Sequence, residues 1–140
     1  MTIITFARGQ PKYIASQTLF DATLQTGNIT IDQNAYTTGL DRIYDVRGLQ
    51  KMNVKIKNTG GVNGLTYKIE KTRKQFTDDA SSLVDAAFDE DIKGDTNVAF
   101  GANDLTPIID ISPASTAIRI RVKRQTAGLD TTMAGFAAVD

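Results

Sequence analysis

The chain contains no cysteine, no histidine and no tryptophan. Without cysteine there is no disulfide framework, no thiol nucleophile and no thiolate zinc site. Without an imidazole, the Ser-His-Asp and Cys-His arrangements lose their base. Carboxylates, lysine, tyrosine and hydroxyls are what remain for chemistry, so an enzyme is not expected; an Asp- or Glu-based hydrolase is the one catalytic class the composition leaves open. Apolar runs are only a few residues long, too short for a membrane-spanning helix. The first eight residues, Met1 to Arg8, have neither a basic start nor an apolar stretch, so no cleavable signal is expected. Glutamate is also scarce: there are 2 Glu against 14 Asp and 18 Thr. Threonine suits strands and aspartate suits turns, whereas glutamate is the acid that helices favour. The skew predicts an all-β fold with many turns.

What is present supports that expectation. The 140 residues suffice for one domain with a real core. Three segments alternate strictly. Met52, Val54 and Ile56 face one way, with Asn53, Lys55 and Lys57 opposite. Leu65, Tyr67 and Ile69 repeat the pattern, as do Ile118, Ile120 and Val122. A period of two with polar partners marks strands buried on one face, as in the antiparallel sheets of a sandwich. The turn-rich stretch 58–64 predicts a hairpin between strands 50–57 and 65–71. Residues 125–130 join strand 116–124 to a last strand at 131–138 in the same manner. Weaker strands are expected at 2–7, 28–32, 42–46, 97–100 and 107–111. The spacing is that of a single antiparallel β-sandwich, jelly-roll-like. Residues 1–27 read as an N-terminal arm or extended segment, and 28–140 as the sandwich. One stretch breaks the β pattern: Ala80, Leu83, Val84, Ala87 and Phe88 form a helical stripe. It predicts a short helix over 79–88, with an irregular loop over the core as the alternative.

Charge is balanced overall and segregated locally. Residues 42–74 hold nine basic and two acidic side chains, a net of +7; residues 75–115 hold one basic and nine acidic, a net of −8. Much of the positive charge falls at outward positions of expected strands: Lys55, Lys57, Lys68, Arg119, Arg121 and Lys123. The acidic counterpart is Asp85, Asp89, Glu90, Asp91 and Asp95. One reading is a solvated, soluble sheet face. Another is that basic and acidic sets pair between copies and fix the register of an assembly. Zero net charge and outward positions without aromatic stacking groups argue against a specific nucleic-acid partner. The carboxylates at 89–97 raise the question of calcium, but they lack the alternation and terminal Glu of the twelve-residue calcium loop, so an acidic surface loop is expected there. No cofactor is expected.

Two blocks carry a resemblance. Residues 45–60, Asp-Val-Arg-Gly-Leu-Gln-Lys-Met-Asn-Val-Lys-Ile-Lys-Asn-Thr-Gly, are followed by Leu-Thr-Tyr-Lys-Ile-Glu at 65–70, and Ala-Ile-Arg-Ile-Arg-Val-Lys-Arg-Gln-Thr-Ala-Gly stands at 117–128. Together they resemble small β-sandwich structural proteins, head decoration or auxiliary capsid proteins, of tailed bacterial and archaeal viruses. The resemblance covers about a third of the chain directly, and the acidic 72–97 region departs from it. It implies a virion component on the capsid surface that assembles with itself, commonly as a trimer, and with a major capsid protein or other virion proteins, with no membrane partner. A carbohydrate- or receptor-binding module of a tail or fibre tip is the alternative.

Overall fold

A computed structural model describes residues 2–5, 14–18, 29–37, 41–48, 50–76, 83–106, 109–110 and 115–139. The chain forms two packed sheets, the all-β sandwich that the alternation predicts. The strands are β1 (Thr2–Thr5), β2 (Ile14–Thr18), β3 (Ile29–Ile31), β4 (Arg42–Asp45), β5 (Lys51–Asn58), β6 (Leu65–Thr72), β7 (Glu90–Val98), β8 (Asn103–Leu105), β9 (Ile109–Asp110), β10 (Ala117–Arg124) and β11 (Thr131–Val139). The first sheet runs β1-β4-β10-β6-β7, and the second runs β2-β11-β5-β8, with β3 paired to β11 and β9 to β5. Every pairing is antiparallel except β1 with β4, which is parallel. Within 1–27, β1 and β2 supply one strand to each sheet, and the rest of that segment lies outside the described residues.

The inward sets meet as expected. Tyr44 of β4, Leu65, Tyr67 and Ile69 of β6, and Ile118, Ile120 and Val122 of β10 pack against Met52, Val54 and Ile56 of β5 and Met133 of β11. Each is 2 % exposed or less. Full burial of such an apolar side chain is worth about 1.5–3 kcal/mol, so this layer is the main source of stability.

Neither expected hairpin forms. β5 lies in the second sheet and β6 in the first; β10 lies in the first and β11 in the second. The stretches 58–64 and 125–130 are therefore arches that cross from one sheet to the other. A glycine-rich seven-residue stretch is long enough to cross the roughly 10 Å between packed sheets, and turn chemistry alone does not say which sheet the chain re-enters. A third arch, 99–102, links β7 to β8 at the same end.

A buried polar hub ties these arches together. Asn58, fully buried, donates from Nδ2 to the carbonyls of Asn63 (2.9 Å) and Val98 (3.1 Å). Its Oδ1 accepts from the Gly60 amide (3.0 Å) and the Thr131 hydroxyl (2.7 Å). Asn63 Nδ2 donates onward to the carbonyls of Thr126 and Leu129. Gly60 has no room for a side chain, since a Cβ there would lie 2.1 Å from Thr131 Oγ1.

The helix expected over 79–88 is not formed across the described part, 83–88. That part holds one 3-10 turn, Asp85–Ala87, flanked by extended residues; residues 79–82 lie outside the described set. The apolar stripe still reports burial. Leu83 and Phe88, with Phe76, pack on Ile43 of β4 and Ala117 of β10, a small second cluster on the outer face of the first sheet. The irregular loop over the core is the reading that holds for 83–88. The acidic stretch 89–97 is not a loop but most of β7, longer than the strand expected at 97–100.

Candidate functional site

The outer face of the first sheet concentrates the charged chemistry of the chain. Strand alternation puts Arg119 and Arg121 of β10 and Lys68 and Glu70 of β6 on that face, opposite the core positions Ile118, Ile120 and Ile69. Segment 83–88 and Tyr36 close over them. Arg119 is consequently only 3 % exposed, not solvated as a sheet-face arginine would be. Its Nη2 donates to Glu70 Oε2 at 2.7 Å and its Nη1 to Asp85 Oδ1 at 2.6 Å, with Asp41 Oδ2 3.8 Å away. Its guanidinium lies 4.4 Å from the Phe88 ring centroid. Arg121 Nε donates to the fully buried Asp41 at 3.1 Å, and Lys68 Nζ lies 2.9 Å from Glu70 Oε1. Three cations and three carboxylates thus balance within one cluster.

A second arginine holds Phe76, four residues past the end of β6. Arg47 pairs with Asp45 at 2.8 Å, lies 3.8 Å from the Phe76 ring centroid and donates to the Phe76 carbonyl at 2.6 Å. Phe76 and Phe88, both in the outer-face cluster, are therefore each stacked on an arginine, contacts that gain strength when desolvated.

Tyr36 covers the remaining cations. Lys68 and Lys123 each lie 4.8 Å from its ring centroid and Arg121 5.6 Å, and its hydroxyl donates to Asp95 at 2.7 Å. Burial first, then the bond to Asp95, pushes the Tyr36 hydroxyl well above the usual phenol range. Across the open edge of the sandwich, Tyr67 and Lys93 both donate to Asp104, which joins β6 and β7 to β8 of the other sheet.

Two carboxyls of the main cluster titrate in opposite directions. Burial pushes Asp41 above its ordinary value, against the pull of Arg121 and Arg119. Burial also acts to raise Glu70, but the bonds from Arg119 and Lys68 outweigh it and hold Glu70 below 4.5. A carboxyl held low stabilises the fold above its unfolded pKa, and that contribution is lost as the pH falls through the folded value. Asp41 opposes this: its raised pKa favours the fold as the pH falls. The stability difference between wild type and Glu70→Gln, read from urea midpoints, is therefore expected to be largest at neutral pH and to shrink as the pH drops below about 4.5. A difference constant from pH 7 to pH 3 would show that the Glu70 charge contributes nothing.

The eleven residues singled out from the sequence fall into two groups. Lys68, Arg119, Arg121, Asp85, Glu90 and Asp95 are engaged within the chain, Glu90 by Lys71 (3.4 Å) and Arg73 (3.2 Å), and Lys123 lies over Tyr36. Lys55 and Lys57 are exposed on the outer face of the second sheet. Their neighbours in register are Leu105 and Phe136, and Asn103 and Ala134, none of them acidic. Asp89 and Asp91 are also exposed, and Asp91 lies opposite another acid, Glu70. Because β7 is extended, its successive carboxylates point to opposite faces; among the described residues no three carboxylates converge to hold a metal ion. Tyr36, Asp41 and Asp45 complete the cluster and were not singled out from sequence. Tyr36 and Asp41 sit in connecting segments, where nothing in the local pattern reveals partners on distant strands, and Asp45 ends β4, two residues before its partner Arg47. No helix among the described residues is long and apolar enough to cross a membrane.

No protein-family model matches the chain, and no curated protein matches it either. Among solved structures it is similar to PliG of Aeromonas hydrophila, a periplasmic inhibitor of g-type lysozyme, at 14 % identity and a TM-score of 0.43, over 99 % of this chain and 96 % of that one. It is also similar to a chain of infectious bursal disease virus, Gx strain, at 16 % identity and a TM-score of 0.33, over 89 % of this chain and 29 % of that one.

Proposed function

We propose that the chain is a non-enzymatic structural protein of a virion, a decoration or minor capsid component on the shell surface, that acts through contacts with copies of itself and with shell proteins. The observation that supports this most is the internal use of its reactive groups. Arg119, Arg121, Glu70, Asp41 and Asp85 hold a covering segment onto a sheet. Lys55, Lys57, Asp89 and Asp91 stay at the surface, as an assembly protein requires. A protein bound across a junction of shell subunits stabilises the shell by linkage, since it binds the assembled state and not the separated subunits. Antibody raised against the purified chain and applied to particles purified from the source culture tests the reading. Label on the outer shell supports it; particles free of label, and free of the chain by mass spectrometry, would overturn it.

A second reading, a receptor- or carbohydrate-binding module of a tail or fibre tip, is favoured by the arched end of the sandwich. Val62, Phe100 and Leu129 stand 71 %, 59 % and 46 % exposed at the three arch tips. The arches 59–64, 99–102 and 125–129 contain no charged residue. Label confined to the tail tip would favour this reading over the shell.

A further inference from the structure

The two outer faces of the sandwich carry opposite charge. On the second sheet, Lys55 and Lys57 project from β5, and Leu105 of β8, paired with Lys55 in register, is 61 % exposed between them and solvent. On the first sheet, Arg119, Arg121 and Lys68 are paired with carboxylates and Lys123 lies over Tyr36, so the exposed charges left near the start of β7 are acidic. Asp89 and Asp91 are exposed there, and Val84 of the covering segment is 59 % exposed. Each face therefore offers an exposed aliphatic group and two exposed charges of like sign, Lys55 and Lys57 on one and Asp89 and Asp91 on the other, and these two pairs are complementary.

From this juxtaposition we infer that copies of the chain associate head to tail, the Lys55–Lys57–Leu105 face of one copy on the Val84–Asp89–Asp91 face of the next. The contact is heterologous, because two different patches meet, so repetition yields a ring where the rotation closes and a line where it does not. Its strength follows from size. Four strands spaced about 4.8 Å apart and about 27 Å long cover about 500 Å², below the roughly 800 Å² per partner of a standard stable interface. The contact is weak in dilute solution and gains from the local concentration that a shell surface provides. The inference takes its purpose from the assembly reading above, but its test reads self-association directly.

Sedimentation velocity of the full chain over a concentration series, at about 0.1 M and about 1 M salt, is the measurement; the screening length falls from about 10 Å to about 3 Å between them. Wild type is expected to associate at the lower salt and to separate at the higher. Lys55→Glu/Lys57→Glu has two acidic faces and Asp89→Lys/Asp91→Lys has two basic ones. Each is expected to self-associate at least about tenfold more weakly than wild type. An equimolar mixture of the two restores association, since every contact in an alternating stack again joins opposite charges. All four positions are exposed, and an unchanged urea midpoint checks that the fold is kept. Wild type that stays monomeric at every concentration, association indifferent to both reversals, or a mixture that fails to recover would overturn the inference. Any of these would leave the particle-labelling experiment to decide the virion role separately.

Discussion

Replacing Arg119 with alanine is expected to destabilise the fold by about 3–5 kcal/mol, the cost of leaving buried charges without their partner. The side chain is 3 % exposed and serves Glu70 and Asp85 through separate nitrogens while its face lies over Phe88. Its removal leaves Glu70 with Lys68 at 2.9 Å and a long contact to Arg121 at 3.9 Å, both on one oxygen, loosens the fully buried Asp41, and frees the 3-10 turn that covers Ile43 and Ala117. Arg119→Lys recovers little of this, because one ammonium cannot reproduce the two-nitrogen fork or stack as a flat group. The triple variant Arg119→Met/Glu70→Gln/Asp41→Asn is expected to lose less than Arg119→Ala, since it removes the charges together. Urea unfolding of the three variants gives the order. A loss under about 1 kcal/mol for Arg119→Ala would show that water enters the cluster and screens it as at a surface.

The second large effect is at Asn58. All four hydrogen-bonding positions of its side-chain amide are used, two donors and two lone pairs. Asn58→Ala strands the Asn63 and Val98 carbonyls and the Gly60 amide in a buried site, and an unsatisfied buried group costs about 1–3 kcal/mol. With the Asn63–Thr131 contact partly retained, the expected loss is about 3 kcal/mol. Asn58→Asp keeps the volume and reverses the two donors into acceptors facing two carbonyls, so it is expected to be at least as damaging. Hydrogen exchange should also show the amides of 59–64 and 99–102 exchanging faster in Asn58→Ala, while those of β10 keep their order. If Asn58→Asp were as stable as wild type at neutral pH, the hub would be held by shape and not by hydrogen bonds.

The comparison of sequence with structure divides along physical lines. Alternation made β5, β6 and β10 legible, because period two is a property of the strand itself and survives whichever sheet the strand joins. The hairpins were misjudged because Asn58 to Gly64 is written in residues that serve a turn and an arch equally well. What distinguishes the two is the partner of Asn58, Thr131, which lies 73 positions away. β7 was read as an acidic loop because its sequence, Glu-Asp-Ile-Lys-Gly-Asp-Thr-Asn-Val, is charged on both sides. As the edge strand of its sheet it needs few apolar residues, and its charges suit an edge that must not pair further. The apolar stripe at 83–88 correctly marked a covered segment; the period of burial was visible, but a 3-10 turn and a helix share it over so short a span. The charge cluster was half legible. Its basic members stood out by alternation, whereas Asp41 and Tyr36 belong to connecting segments and reach their partners only through the fold.

The order of strands within the sheets has a consequence for how the chain is made. β10 is the middle strand of the first sheet, and β11 is interior in the second, flanked by β2 and β5. Both lie in the last part of the chain, from Ala117 onward. Until they emerge, β4 has no link to β6, and β5 has no link to β2, so neither sheet can form its core. At about 5–20 residues per second, the stretch from the end of β6 to the end of β11 takes several seconds to synthesise. Between β6 and β10, the partners available to β5 and β6 are β7, β8 and β9, so their apolar sides and their other edges stay uncovered. The sandwich closes in one late event dominated by distant pairings, which is slow and exposes the chain to wrong partners. Loss of β11 alone would leave β2 and β3 with no link to β5, so the second sheet hangs on one strand that pairs with three others.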